Sequence, residues 1–178
     1  GRVLALARLA GDAPVYIVHL SCRESLLAVR DARRHGQKNI FVETCPQYLT
    51  LTNECYQRED ALKYIMSPPL RSEEDCEALW EGLADGSIQV VATDHCPFNY
   101  GKEKQLGKED FTVCPNGAPG VEERLSLLYS EGVAKGRISM HQLVKTLCTN
   151  PARIYGLYPR KGAVLPGADG DLVILDPA

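Results

Sequence analysis

His19 and Asp94 each follow a short apolar run, and imidazole with carboxylate is a donor set that hydrolytic metal ions use. The runs are Val15-Tyr16-Ile17-Val18 before His19 and Ile88-Gln89-Val90-Val91-Ala92-Thr93 before Asp94. Short, β-branched and apolar, they predict strands buried on both faces of a parallel sheet. Polar groups at the carboxyl ends of such strands face the ligand crevice. A metal held there with an open position polarises a carbonyl and acidifies its water. A lone histidine after a strand is ordinarily a hydrogen-bonded structural group, and Thr-Asp-His can be turn chemistry. The two together, at two strand ends, point to a metal-hydrolase site.

Neighbouring groups are read more plainly. His95 points away from Asp94 by strand alternation, which gives it a supporting role. Glu43, after the run Ile40-Phe41-Val42, faces the same mouth and can position groups there. Cys96 could be a nucleophile, but a small residue packed in a loop is the simpler role. His35 and His141 fall on helix surfaces, and Lys102, Lys104 and Lys108 read as a solvated charge run.

Strand and helix signals alternate around these residues. Ser21 to Glu24 has capping-box spacing before a helix that Gly36 ends. Ser72 opens another, with Cys76, Leu79, Trp80 and Leu83 on one face and Gly86 after it. The stretch 96–120 is charged and turn-rich, and a connection of that length is more often functional than accidental. Helices are predicted from about Pro119 to Ala134 and from the Ser139–Gln142 capping box to Cys148, with Asn150-Pro151 capping a short turn. The tail is glycine-spaced, with a hairpin-like 168–171 before a predicted strand over Leu172 to Leu175. The β-α-β-α order with strand-end ligands suggests an α/β fold, part of a TIM-type (β/α)8 barrel. A whole barrel takes about 250 residues, so the chain of 178 reads as cut from something larger.

Composition bounds the function. Charged residues make up 24% and the net charge is −3, which gives no basic footprint for nucleic acid. No apolar run approaches ~18 residues and no signal peptide is visible, so no membrane is implied and a cytoplasmic location is expected. Seven cysteines, odd in number and without a Cys-x-x-Cys pair, fit reduced thiols better than a disulfide framework or cysteine zinc site.

Eight stretches in order carry a family resemblance: VYIVHLSC (15–22), ETCPQYL (43–49), SPPLR (67–71), ATDHCPF (92–98), LGKEDF (106–111), NGAPGVEER (116–124), TNPARIYGLYPRKG (149–162) and GADGDLVILDP (167–177). Together they resemble the dihydropyrimidinase and hydantoinase branch of the amidohydrolase superfamily. The resemblance implies that the chain is the C-terminal half of the barrel (1–155) followed by the start of a small β-sandwich domain (156–178). It implies a cyclic-amide hydrolase using two zinc ions, other divalent metals being possible, bridged by hydroxide and a carboxylated lysine. His19 would be the ligand on the sixth strand. Asp94 would be both ligand on the eighth and catalytic proton carrier. Ser67 and Asn116 would contact the imide edge of the substrate through their backbones; on spacing alone they read as a pre-proline cap and an Asn-Gly turn.

The implied reaction opens a dihydropyrimidine or hydantoin ring to an N-carbamoyl amino acid, in a homo-oligomer that is a tetramer by resemblance. One alternative is a catalytically inactive dihydropyrimidinase-related scaffold, against which the retained His19 and Asp94 argue. Another is an allantoinase- or dihydroorotase-like hydrolase, against which SPPLR and NGAPGVEER argue. The family's His-x-His pair, bridging lysine and further histidine have no counterparts here, so the 178 residues alone are expected to be inactive.

Overall fold

A computed structural model describes residues 1–176. Its centre is a three-stranded parallel sheet in the order β1 (Val15–Ile17), β2 (Ile40–Thr44), β3 (Val90–Val91). The register sets Val15, Tyr16 and Ile17 against Ile40, Phe41 and Val42, and Glu43 and Thr44 against Val90 and Val91. Parallel neighbours require crossovers. Helix α1 (Arg2–Leu9) precedes β1, α2 (Arg23–Arg34) links β1 to β2, and α3 (Pro46–Thr50) and α4 (Glu73–Ala84) lie between β2 and β3.

β2 runs on to Thr44, past the predicted Ile40–Val42, whereas β1 and β3 are shorter than predicted. β1 stops before His19 and β3 before Asp94, and both residues sit at positive φ, +37° and +48°. That conformation breaks the extended run. Beyond the two paired residues of β3, Gln89 N–H still donates to the Val42 carbonyl (3.1 Å) and Ala92 N–H to the Thr44 carbonyl (2.9 Å).

The core lies where α2 and α4 pack on each other and on the sheet. Leu26 and Val29 of α2, Leu79 and Leu83 of α4, Val42 of β2, Val91 of β3 and Ile88 just before β3 are almost fully buried. Gly82 lets the helices close: a β-carbon there would sit 2.9 Å from both Leu26 and Ile88 side chains. Arg33 laces the polar edge, donating to the carbonyls of Ser87 (2.7 Å) and Ile40 (2.8 Å) and to the Gln89 side chain (3.1 Å).

Helix ends follow the sequence where the cap is local. The Ser72–Asp75 and Ser139–Gln142 capping boxes both form, and Gly36 and Gly86 turn left-handed just past α2 and α4. Ser21 is not a cap. Cys22 holds the N-cap position of α2 without a side-chain bond, and the Arg23 N–H is instead taken by Asp75 of α4 at 2.8 Å.

Beyond β3, helical structure begins at Arg124 rather than near Pro119. Residues 140–154 form one continuous helical stretch in which Asn150 is not a cap; its side chain donates to the Gln89 carbonyl at 2.8 Å. A wide π turn at Lys145–Thr149 precedes Pro151, which lacks an N–H and crowds a regular turn. The tail forms neither the hairpin at 168–171 nor the strand at 172–175, and Val173 and Ile174 are exposed. A strand needs a partner for its backbone groups, and none of the described residues provides one. No helix among the described residues is long and apolar enough to cross a membrane.

Candidate metal and substrate site

His19 and Asp94 emerge from the carboxyl ends of β1 and β3, on one rim, with β2 between them. Both adopt the left-handed conformation that only glycine takes freely, although Asp and His tolerate it better than most. Such backbone costs of order 1–3 kcal/mol and concentrates where function demands a side-chain direction. Asp12, the third non-glycine residue of this kind, accepts from Lys38 N–H at 3.1 Å, away from the strand ends.

The rim is built by buried polar groups of β2 and α3. Glu43 Oε2 accepts from the Tyr16 hydroxyl at 2.7 Å, and Oε1 from the His19 backbone N–H at 3.3 Å. Desolvation, with the Glu43 carboxylate alongside, pushes the Tyr16 phenol far above its ordinary range, so it stays a donor to Glu43. Thr44, fully buried, donates to the Leu20 carbonyl at 2.7 Å, and Gln47 Nε2 donates to the Thr93 carbonyl at 3.0 Å. The residue after His19 and the residue before Asp94 are thereby fixed by neighbours on one strand-to-helix connection. Arg124 adds a bond to the Val91 carbonyl at 3.1 Å.

The loops carrying Ser67 and Asn116 meet each other, and the Asn116 loop pairs with His95 and Cys96, the two residues after Asp94. Ser67 Oγ donates to the Asn116 side-chain oxygen at 3.1 Å. Gly117 N–H donates to the Ile65 carbonyl at 3.1 Å, and Cys96 N–H to the Ala118 carbonyl at 3.0 Å. Gly117 must be glycine here, since at φ +150° an added β-carbon would lie 2.4 Å from the Cys96 carbonyl oxygen. His95 has the supporting role read from the sequence: its Nδ1 accepts from the N–H groups of Gly120 (3.2 Å) and Val121 (3.4 Å). Cys96 is exposed and His35 and His141 lie on the surface.

Lys104 corrects the solvated-run reading. It is 2% exposed, and its ammonium donates to the carbonyls of Ile65 (2.6 Å) and Pro115 (2.7 Å). Nothing local distinguishes it from Lys102 and Lys108; its acceptors lie 39 and 11 residues away. Glu43, noted for its position, owes its partners to register. Tyr16, Thr44 and Gln47 lie inside the motif stretches, but their bonding partners carried no local signal.

A parallel sheet with polar side chains on its carboxyl rim is the ligand-bearing half of a barrel layer, and the fold is α/β of the TIM-barrel type. The chain belongs to the amidohydrolase family, whose profile matches residues 15–178. It is 52% identical to a D-phenylhydantoinase of Escherichia coli over 176 residues, 99% of this chain and 38% of that protein. Among solved structures, dihydropyrimidinase from Brevibacillus agri superposes with a TM-score of 0.92 at 44% identity, over 95% of this chain and 37% of its own. D-hydantoinase (dihydropyrimidinase) from Thermus sp. does so with 0.92 at 42% identity, over 97% and 38%. The chain thus spans little more than a third of the length of these relatives. The expected placement in the C-terminal half of the barrel does not stand on these matches, which establish the fold type and the share of length.

Proposed function

We propose that this chain supplies His19 and Asp94 as metal ligands, and Ser67 and Asn116 as substrate contacts, to an enzyme that opens hydantoin or dihydropyrimidine rings. The observation that carries this reading is the pair of imidazole and carboxylate residues, both on left-handed backbone at one carboxyl rim. The names of the relatives support the ring chemistry.

The amidohydrolase family is metal-dependent. Imidazole and carboxylate suit zinc with an open position, and zinc is our assignment. Among the described residues no three His, Cys, Asp or Glu side chains gather into a complete site. His19 and Asp94 therefore fit as two ligands of a larger set whose remaining members lie elsewhere in the full-length protein. When bound, the metal would polarise the amide carbonyl and lower the pKa of the attacking water.

The chain's own residues do the rest. Asp94 takes the proton of the attacking water and releases it to the departing ring nitrogen. A cyclic imide presents C=O and N–H side by side, and backbone N–H and C=O groups at Ser67 and Asn116 complement that edge. The Ser67–Asn116 hydrogen bond holds the two contacts at a fixed spacing. We assign residues 1–155 to the barrel and 156–178 to the start of a second domain, the compositional change in the tail being the support. The full-length protein is read as a cytoplasmic homo-oligomer.

Purified full-length protein should open hydantoin or dihydrouracil, lose that activity on chelation and regain it with zinc. Metal-replete protein that opens neither ring would overturn the reading.

A further inference from the structure

Lys104 is a buried charge, and among the described residues no carboxylate forms an ion pair with it. Its ammonium donates to two backbone carbonyls, Ile65 and Pro115, and lies 5.6 Å from the Phe98 ring centroid. Each carbonyl stands next to a substrate contact: Ile65 two residues before Ser67, Pro115 one before Asn116. The Ile65 carbonyl also accepts from Gly117 N–H, so it is shared by both sides of the tie. The loop that delivers Lys104 is itself packed hard. A β-carbon on Gly107 would lie 2.5 Å from Cys114 Cβ, and Cys114 Sγ donates to the Lys104 carbonyl.

Burying an ammonium is costly, and burial here lowers its pKa. A hydrophobic residue would fill the space without that cost. What an apolar residue cannot do is hold two carbonyls from separate loops at one point.

We propose that Lys104 is a positioning residue for substrate recognition: its ammonium sets the spacing between the Ser67 and Asn116 backbones to match a cyclic imide edge. The inference rests on the proposed role of Ser67 and Asn116. Lys104 touches no reacting atom, so its loss should weaken ground-state recognition and leave proton transfer at Asp94 largely intact.

The test uses the full-length enzyme with two variants, Lys104→Met and Lys104→Gln, and a packing control, Leu62→Ala, whose side chain lies against the same loop. Lys104→Met should raise KM for hydantoin by between about tenfold and 100-fold, the loss expected when a binding edge is misplaced by about 1 Å, while kcat moves less than KM. Lys104→Gln, which keeps N–H donors, should fall between Met and wild type. Leu62→Ala should lower thermal stability and leave KM near wild type. A folded Lys104 variant with wild-type KM, or a KM rise that merely tracks lost stability across all three variants, overturns the proposal. Failure of both Lys104 variants to fold overturns it too, by making Lys104 a folding residue. If wild-type protein opens no cyclic diamide, the functional reading fails instead. The tie is then judged by deuterium exchange, which Lys104→Met must raise together at the amides of 65–67 and 116–117; exchange that stays unchanged there sinks the tie.

Discussion

His19 and Asp94 are where backbone strain and ligand chemistry coincide. Their left-handed φ values lie just past the ends of β1 and β3. In the full-length protein Asp94→Asn keeps the shape but removes the charge and the basic oxygen. Turnover should fall by at least ~10²–10⁴ with the circular dichroism unchanged; wild-type-like hydrolysis by that variant would remove Asp94 from the chemistry. Glu43 is the hinge of the other half of the rim, since one carboxylate oxygen serves Tyr16 and the other the His19 backbone. Tyr16→Phe and Glu43→Ala should therefore couple, with an interaction energy of about 0.5–3 kcal/mol in urea unfolding. Additive losses would mean that the two residues do not act through one bond.

Helices and strands were legible where their signals are local. The capping box at Ser139 forms as read, Ser72 opens its helix as read and adds a capping box with Asp75, and the parallel strands follow from their apolar runs. The cap of α2 was not legible, because its acceptor, Asp75, lies 52 residues from Arg23. Lys104 was misread for the same reason, and the predicted strand at 172–175 lacks a partner among the described residues. His19, Asp94, Ser67 and Asn116, the residues of the proposed site, stand in motifs, whereas the contacts around them depend on register. Asp75 now has two tasks, capping its own helix and α2. Burial raises its carboxyl pKa, but bonds from Arg23 N–H and Ser72 outweigh this and hold it below the usual carboxylate range. A lowered folded-state pKa gives stability that is complete above the unfolded value of about 4 and disappears as pH falls through the folded one. Thermal unfolding should therefore show a steeper acid limb for wild type than for Asp75→Asn, which is less stable at neutral pH. Identical limbs would mean that Asp75 carries no linked stability.

Up to residue 154 the chain forms one sheet layer and its covering helices, with the candidate ligands on a single rim. Among the described residues β1 and β3 each pair only with β2 and no three metal-binding side chains cluster, so the proposed centre calls for ligands from other parts of the full-length protein. The resemblance runs through both the sequence and the fold, at 52% identity to a D-phenylhydantoinase and a TM-score of 0.92 to solved dihydropyrimidinase. Metal content is the most direct test of the claim that this rim holds the catalytic ion. Full-length protein, purified in parallel as wild type and as the His19→Ala, Asp94→Ala double variant, is dialysed against metal-free buffer and measured by elemental analysis. The account predicts stoichiometric zinc in the wild type and substantial loss from the folded double variant. Equal metal in both would contradict it.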